Sequence, residues 1–485
     1  MKKWIGLSTV FAAVLAGSYY GMGVMTERTL KKNINILNQS DGVTVTLQHY
    51  HRGWFHSHAD LKWTLQVPKK PDAQQNSVKS ADALDKIYYI DIPLDIFHGP
   101  MIFSDSKLWF GFGYAHSNVV LPEVYEQQFQ AVYDKNSTIP PLNISVFVNY
   151  LAKTTIQLNI PSFKLIAKAG KSKFKWMGMQ VTINVSANKK HLQGNLLVKG
   201  FTWFHEGMKG IHGPVNSDFD LSLREDNLYL GTAHLNLPSL VLLKGQQQVL
   251  SLIDAHLTST SDIKDGLYNT ALSANINRAS FQNRQYGPSS LEISVRNLDA
   301  VTLSKMNTKL NESSNYSDRD RQGVLLSLIP DLPALLCKGA QLKMSHLELN
   351  LPEGKLNAAI NIELPNEQIS NPFQLLQKIN GEGKITVSPA VLTHWLQQPI
   401  RQKIVTKLKS ELAAPSGPLV VVPQANVPAQ NIEAQVIAKT AEKIQELISL
   451  GVLTQVGSDY VLNLKFSNGK LFVNDHPFTS SMLVI

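Results

Sequence analysis

The chain has 485 residues, 43% of them hydrophobic and 17% charged, with a formal net charge of +9. That balance excludes a disordered polar chain, and the basic residues are spread out, without the Lys/Arg block that marks a nucleic-acid arm. The only cysteine, Cys337, excludes an internal disulfide, so the body must rely on a packed core, and Cys337 itself is expected to be an inert buried thiol.

Residues 1–3 carry Lys2 and Lys3. Residues 4–25 then run for 22 positions without a charged side chain. A helix of about 20 mostly apolar residues crosses the core of a bilayer, so this run predicts a membrane-spanning signal-anchor. A cleaved signal peptide would end near Ala16. The apolar run instead continues through Tyr19, Tyr20 and Met25. The polar segment that follows keeps Leu30, Ile34 and Leu37 on one helical stripe. The expected organisation is a short cytoplasmic tail (1–3), a transmembrane helix (4–25), a helical stalk (26–41), a β-rich region (42–298) and a helix-plus-strand region (299–485). Flanking lysines and arginines on both sides do not orient the span. A tail of three residues places the body outside the cytoplasm, because long domains translocate largely regardless of charge.

Residues 43–67 alternate as two strands, with Val45 and Leu47 on one apolar face and Ala59, Leu61 and Trp63 on the other strand's. Between them lie four histidines: His49, His51, His56 and His58. A three-residue turn at Arg52-Gly53-Trp54 pairs His49 with Ser57 and Tyr50 with His56. That register sends His49 and His51 to one face and His56 and His58 to the other, so the four cannot share one metal ion. A site of His56 and His58 with Asp60 stays open. For Arg52, a contact near headgroups competes with a plain tight hairpin. In the hairpin, Gly53 frees the backbone while Trp54 and Phe55 pack, which is explanation enough.

Residues 68–85 read as a polar loop, followed by strands at 87–94, 101–103 and 108–114 and a short helix at 122–133. From 144 to 298 the pattern is almost all strand. His98-Gly99-Pro100 is echoed by His212-Gly213-Pro214, a weak hint of repetition or simply two edge turns. Helices are expected at 299–309, 321–328, 389–412 and 431–450, and a hairpin across 342–364. The helix at 389–412 has a basic outer face. Such a helix can lie on a membrane, but packing its apolar stripe on a sheet is the simpler reading. Four prolines make 413–429 a linker or extended edge. Asn468-Gly469 between alternating segments predicts a closing hairpin. The fold class is therefore mainly β with several helices (α+β): a membrane helix, then extended, curved antiparallel sheets, with helices concentrated in the last third.

With these segments in place, the chain resembles the YdgA family of Gram-negative envelope proteins. The matching pieces are the charge-free N-terminal span, Tyr50-His51-Arg52-Gly53-Trp54-Phe55-His56-Ser57, His98-Gly99-Pro100, and Phe466-Ser467-Asn468-Gly469 with Asn474 beyond. The resemblance implies a bacterial inner-membrane protein, single-pass, with most of the chain in the periplasm. It carries no established reaction. Tyr50, Arg52, Gly53, Phe55, Ser57, His98, Gly99, Pro100, Asn468, Gly469 and Asn474 are thus motif positions of unknown role.

Enzyme signatures are missing from the sequence. There is no G-x-S-x-G elbow and no phosphate loop, and Gly381-Glu382-Gly383-Lys384 lacks the frame of one. His205-Glu206 is too far from His212 for a zinc-binding helix. No catalytic residue, cofactor or metal site is nominated. The expected function is that of a non-enzymatic envelope interaction or scaffold protein, anchored in the inner membrane. Its candidate partners are a second copy of itself or an apolar lipid, and nucleic acid is not among them. The alternative is lipid or other apolar-ligand binding along a concave sheet, which needs an open groove. An unrecognised envelope hydrolase is the third reading.

Overall fold

A computed structural model describes residues 2–38, 43–67, 86–119, 123–224, 228–312, 318–368, 371–413 and 429–479. The polar loop at 68–85 and most of the proline-rich stretch 413–429 lie outside the described residues. The chain is mainly β, and every described strand pairing is antiparallel, as in the pairs that open it. It divides into two compact units, one formed by 1–225 with 231–248 and the other by 226–230 with 249–485.

The first unit begins with one continuous helix, α1 (Lys2–Leu37). The side chains of residues 2–15, which hold the first half of the expected anchor, lie outside the description. Among the described residues no helix is long and apolar enough to cross a membrane, so the expected span finds no support there. From Tyr19 onward the helix lies on a sheet. The segment read as a stalk also packs. Ile34 joins Val45, Leu61 and Ile92 in a buried cluster, with Leu30, Leu47 and Trp63 against it.

That sheet runs β1 (Val43–Arg52), β2 (His56–Val67), β3 (Lys86–His98), β6 (Gly111–Val119), β7 (Leu142–Asn149) and β8 (Thr154–Ile160), each paired with the next. A small hairpin of β4 (Ile102–Ser104) and β5 (Lys107–Trp109) is inserted between β3 and β6. Helix α2 (Glu123–Val132) joins β6 to β7. In such a meander alternate connections lie at the same end. The β1–β2 turn, the β3–β6 insertion and the β7–β8 turn therefore share one end. The dimensions fit: Tyr19 to Ile34 covers about 22 Å of helix, and Val45 to Arg52 about 23 Å of strand. Burying Ile34 and Val45 contributes roughly 1.5–3 kcal/mol each.

The β1–β2 register differs from the sequence reading. Arg52 pairs with Ser57, His51 with His58 and His49 with Asp60, and the ladder slips between Leu47 and His49. The turn is one residue longer than expected and begins at Gly53, whose amide donates to the His56 carbonyl (3.0 Å). A Cβ on Gly53 would come within 2.4 Å of that carbonyl oxygen, so glycine is required. Longer turn and bulge together reverse the parity of the upper strand. His49, His51, His56 and His58 all point away from α1, which corrects the expectation that they divide between two faces.

The second unit bears out the expected helices, as Ala300–Glu312, Asp318–Ser327, Pro389–Ala413 and Ala429–Ser449. Asp299 caps the first of these, accepting from the Thr302 amide (2.8 Å) and from Lys338 Nζ (2.6 Å). Cys337 is half-buried beside Ala340 and Leu364. The helix Pro389–Ala413 sets Val391 and Leu392 on Leu356, Ala358 and Val387 of the adjoining sheet. It also holds its neighbour through Arg401, which donates to both oxygens of Glu433 (2.7 and 2.8 Å). Its basic face thus accompanies an ordinary packed stripe.

Candidate functional site

Most of the N-terminal motif residues converge on one feature, the place where α1 lies against the ends of β1, β2 and β3. Ser57 on β2 faces the helix, and its hydroxyl is 2.9 Å from Nε2 of His98, the last residue of β3. The other ring nitrogen, Nδ1, lies 3.2 Å from the main-chain carbonyl of Tyr19 in α1. A carbonyl can only accept, so Nδ1 carries the hydrogen. Nε2 is then the acceptor and Ser57 the donor. Both side chains are 1% exposed. Burial lowers the pKa of His98, and the nearby positive charge of His56 and Arg52 adds to the effect. The Tyr19 carbonyl opposes it without reversing it.

The imidazole reaches the helix because residue 23 is glycine. A Cβ there would stand 2.6 Å from Cε1 of His98. Gly99 follows at φ +127, beneath the Tyr19 ring. The carbonyls of the next two residues are also taken. Pro100 accepts from the Tyr150 hydroxyl and Met101 from the Tyr19 hydroxyl (2.7 Å).

Arg52 grips the helix from the other side. Nη1 lies 3.3 Å from Glu27 Oε2, Nη2 donates to the Tyr20 hydroxyl (3.0 Å), and the guanidinium sits 4.9 Å from the Tyr20 ring centre. Trp54 leans on Tyr20 (5.6 Å between rings) and Phe55 meets Tyr19 edge-on (4.7 Å). Tyr50 faces the helix side opposite Ala59, and burial raises the pKa of its hydroxyl beside Ser57. The hairpin that was sufficient explanation for Arg52 and Gly53 therefore exists, and its purpose is to present these side chains to α1.

The far face of the same strands carries a chain of imidazoles and carboxylates. His58 bridges Asp95 (Nδ1, 3.1 Å) and Asp60 (Nε2, 3.2 Å), and His56 Nε2 also meets Asp95 (3.2 Å). His49 and His116 stand further off, each 3.8 Å from a carboxylate. The bond to Asp95 raises the pKa of His58. Burial pushes Asp95 up, but its bonds to His58 and His56 outweigh that and hold it low. Among the described residues no group of three or more such side chains is placed to hold a metal ion, so the His56/His58/Asp60 option finds no support.

The C-terminal motif positions do similar structural work. Asn468 and Gly469, at φ +51 and +71, form the two-residue hairpin turn that the Asn-Gly pair predicts. Asn474 fastens that hairpin to the end of the last helix. Its Nδ2 donates to the carbonyls of Gly451 (3.0 Å) and Val452 (2.9 Å), and its Oδ1 accepts from the Asn463 amide (2.8 Å).

Tyr19, Gly23, Glu27 and Asp95 escaped nomination from the sequence. A signal for the first two was present, since Tyr19, Gly23, Leu30 and Ile34 follow one helical stripe. It is masked because both residues fall within the run that reads as a membrane span.

Chemically, Ser57 and His98 have the contact of a nucleophile with its base. Nothing reaches them from solvent, however, and Nδ1 is held by a main-chain carbonyl where a catalytic pair would offer a carboxylate. The arrangement holds a helix. The chain belongs to the family described as bacterial protein of unknown function (DUF945), which it matches over residues 1–480. No curated protein matches it.

Proposed function

We propose that this chain is a non-enzymatic interaction protein of the YdgA kind, held at the bacterial inner membrane by the first part of α1, with both sheet units in the periplasm. On this reading the Arg52/Ser57/His98 site is a clamp. It fixes the first unit to a helix whose uncharged run enters the bilayer. One observation carries the reading: inside the protein the Ser57 hydroxyl is spent on Nε2 of His98, and Nδ1 of His98 on the main-chain carbonyl of Tyr19 in α1. A hydrolase would keep the serine open to its substrate. The uncharged run of residues 4–25 supports the anchoring. Because α1 is continuous from Lys2 to Leu37, the anchor and the clamped segment are one rod.

The lipid-groove alternative is less well supported. Val391 and Leu392 fill part of the apolar sheet face that an acyl chain would need. The neighbouring concavity, about 410 Å³, is lined by Lys343, Lys384, Lys465 and Glu382 as well as by Met344 and Ile360.

Alkaline washing of membranes from cells making the full chain tests the anchoring, and the chain should stay in the pellet. Protease added to intact spheroplasts should degrade the second unit. Release by the wash, or a fully protected second unit, would remove the reading. For the hydrolase reading, Ser57→Ala is decisive. If it abolished a turnover while leaving the unfolding curve unchanged, the clamp would be an active site after all.

A further inference from the structure

The end of the first unit that meets α1 at Tyr19 and Tyr20 carries a set of large, well-exposed apolar side chains. Trp54 and Phe55 stand at the tip of the β1–β2 turn, Phe103, Leu108 and Phe110 in the β3–β6 insertion, and Leu151 in the β7–β8 turn. Leu151 is 81% exposed and Phe103 71%. Leucine and phenylalanine at such exposure are ordinary when scattered singly. Here they occupy all three connections at one end of a meander. Phe103 pairs directly with Leu108, so these two project together.

Three contacts tie this rim to α1: Tyr19 meets Phe55 and donates to Met101, and Tyr20 meets Trp54. Within the rim, Tyr150, beside Leu151, donates to Pro100. Further toward the N-terminus, nothing outside the helix lies within 4 Å of where a Cβ on Gly17 would sit. We propose that this rim is a second membrane contact, and that the bilayer surface is its occupant: the aromatic tips rest at headgroup level around the entering helix. This inference rests on the anchoring reading above. What selects the bilayer over a protein partner is continuity, since the rim meets α1 at Tyr19 and Tyr20, within the uncharged run of residues 4–25. Aromatic side chains are enriched at that depth. Lys107 and Lys153, in the same connections, suit anionic headgroups. With rod and rim both engaged, the sheet would be held at a fixed angle to the membrane.

The test uses the full chain in Cys337→Ser background, reconstituted in phosphatidylethanolamine/phosphatidylglycerol vesicles. Single cysteines carry an environment-sensitive fluorophore at Phe103→Cys, Leu151→Cys, Val10→Cys and, in α2 at the opposite end, Gln128→Cys. Lipids spin-labelled near the headgroup act as quenchers. The labels at 103 and 151 should shift to the blue and be quenched, while the label at 128 does neither. Should 103 and 151 behave like 128 while 10 is quenched, the rim inference fails and the anchoring stands. If 10, 103 and 151 all stay unquenched, both fail. Quenching at 103 and 151 without quenching at 10 would keep the rim as a membrane contact and remove the anchor. Protection of the rim labels that rises with protein concentration in detergent, without lipid, would assign the surface to a second copy of the chain and overturn the bilayer.

Discussion

The two faces of the β1–β2–β3 sheet use the same residue types to opposite ends. On the helix side one histidine and one serine are sealed away from water, and each hydrogen bond they make has no solvent substitute. On the far side His49, His56 and His58 meet Asp60 and Asp95 in the open. A buried polar group left without its partner costs the full price of desolvation. An exposed ion pair merely exchanges one set of water contacts for another. Proximity in sequence and similarity in chemistry therefore say little about energetic weight, and burial decides it.

The comparison breaks first at His98. His98→Ala leaves a void and an unpaired Ser57 hydroxyl, an expected loss of about 3 kcal/mol. Urea unfolding of the detergent-solubilised chain measures the loss, and amide exchange across 19–34 shows whether the helix undocks. Ser57→Ala should cost about 1–2 kcal/mol, and the double variant should cost less than the sum, because both changes sever one chain of bonds. Strict additivity would mean that the two residues act independently.

Next comes Gly23→Ala, which places a methyl against the imidazole and should cost roughly 2 kcal/mol through overpacking. In the His98→Ala background the same substitution should be nearly neutral. If it stays costly, the glycine serves something other than the histidine. Arg52→Ala, at the half-exposed edge of the clamp, should cost about 1 kcal/mol from the Glu27 and Tyr20 contacts together. Added salt should shrink that difference. On the outer face, His58→Gln should change stability by under about 0.5 kcal/mol. A loss as large as that of His98→Ala would erase the distinction between the faces.

The smallest net effect concerns pH, because the faces oppose one another. His58 has a raised pKa when folded. Its contribution is complete below the unfolded value of about 6.5 and fades as pH rises through the folded one. His98 has a lowered pKa. Above about 6.5 both its states are neutral, and as pH falls below that value the unfolded chain takes up a proton the folded chain refuses, so stability is lost. Melting curves from pH 5 to 8 should show a shallow maximum near 6.5. His58→Gln should flatten the alkaline side and leave the acid fall intact.

Much of the architecture could be read directly from the residues. The alternation of Val45, Leu47, Ala59, Leu61 and Trp63 predicts the first hairpin. The four-residue spacing of Ile400 and Ile404 predicts the helix Pro389–Ala413, and Asn468-Gly469 predicts the last turn. These signals are local, since periodicity and turn chemistry are fixed within a few residues. The motif positions around Arg52 and His98 were legible as a set, but their purpose was not. Only the tertiary structure brings Ser57, His98 and the Tyr19 carbonyl together, across sequence separations of 41 and 79 residues. The histidine faces show the same limit. One longer turn and one bulge, neither visible in composition or period, reversed the parity of β1 and moved His49 and His51 to the outer side. Pattern along the chain specifies which face of an element is apolar. Register and long-range packing settle which polar side chains meet, because both depend on how separate elements dock.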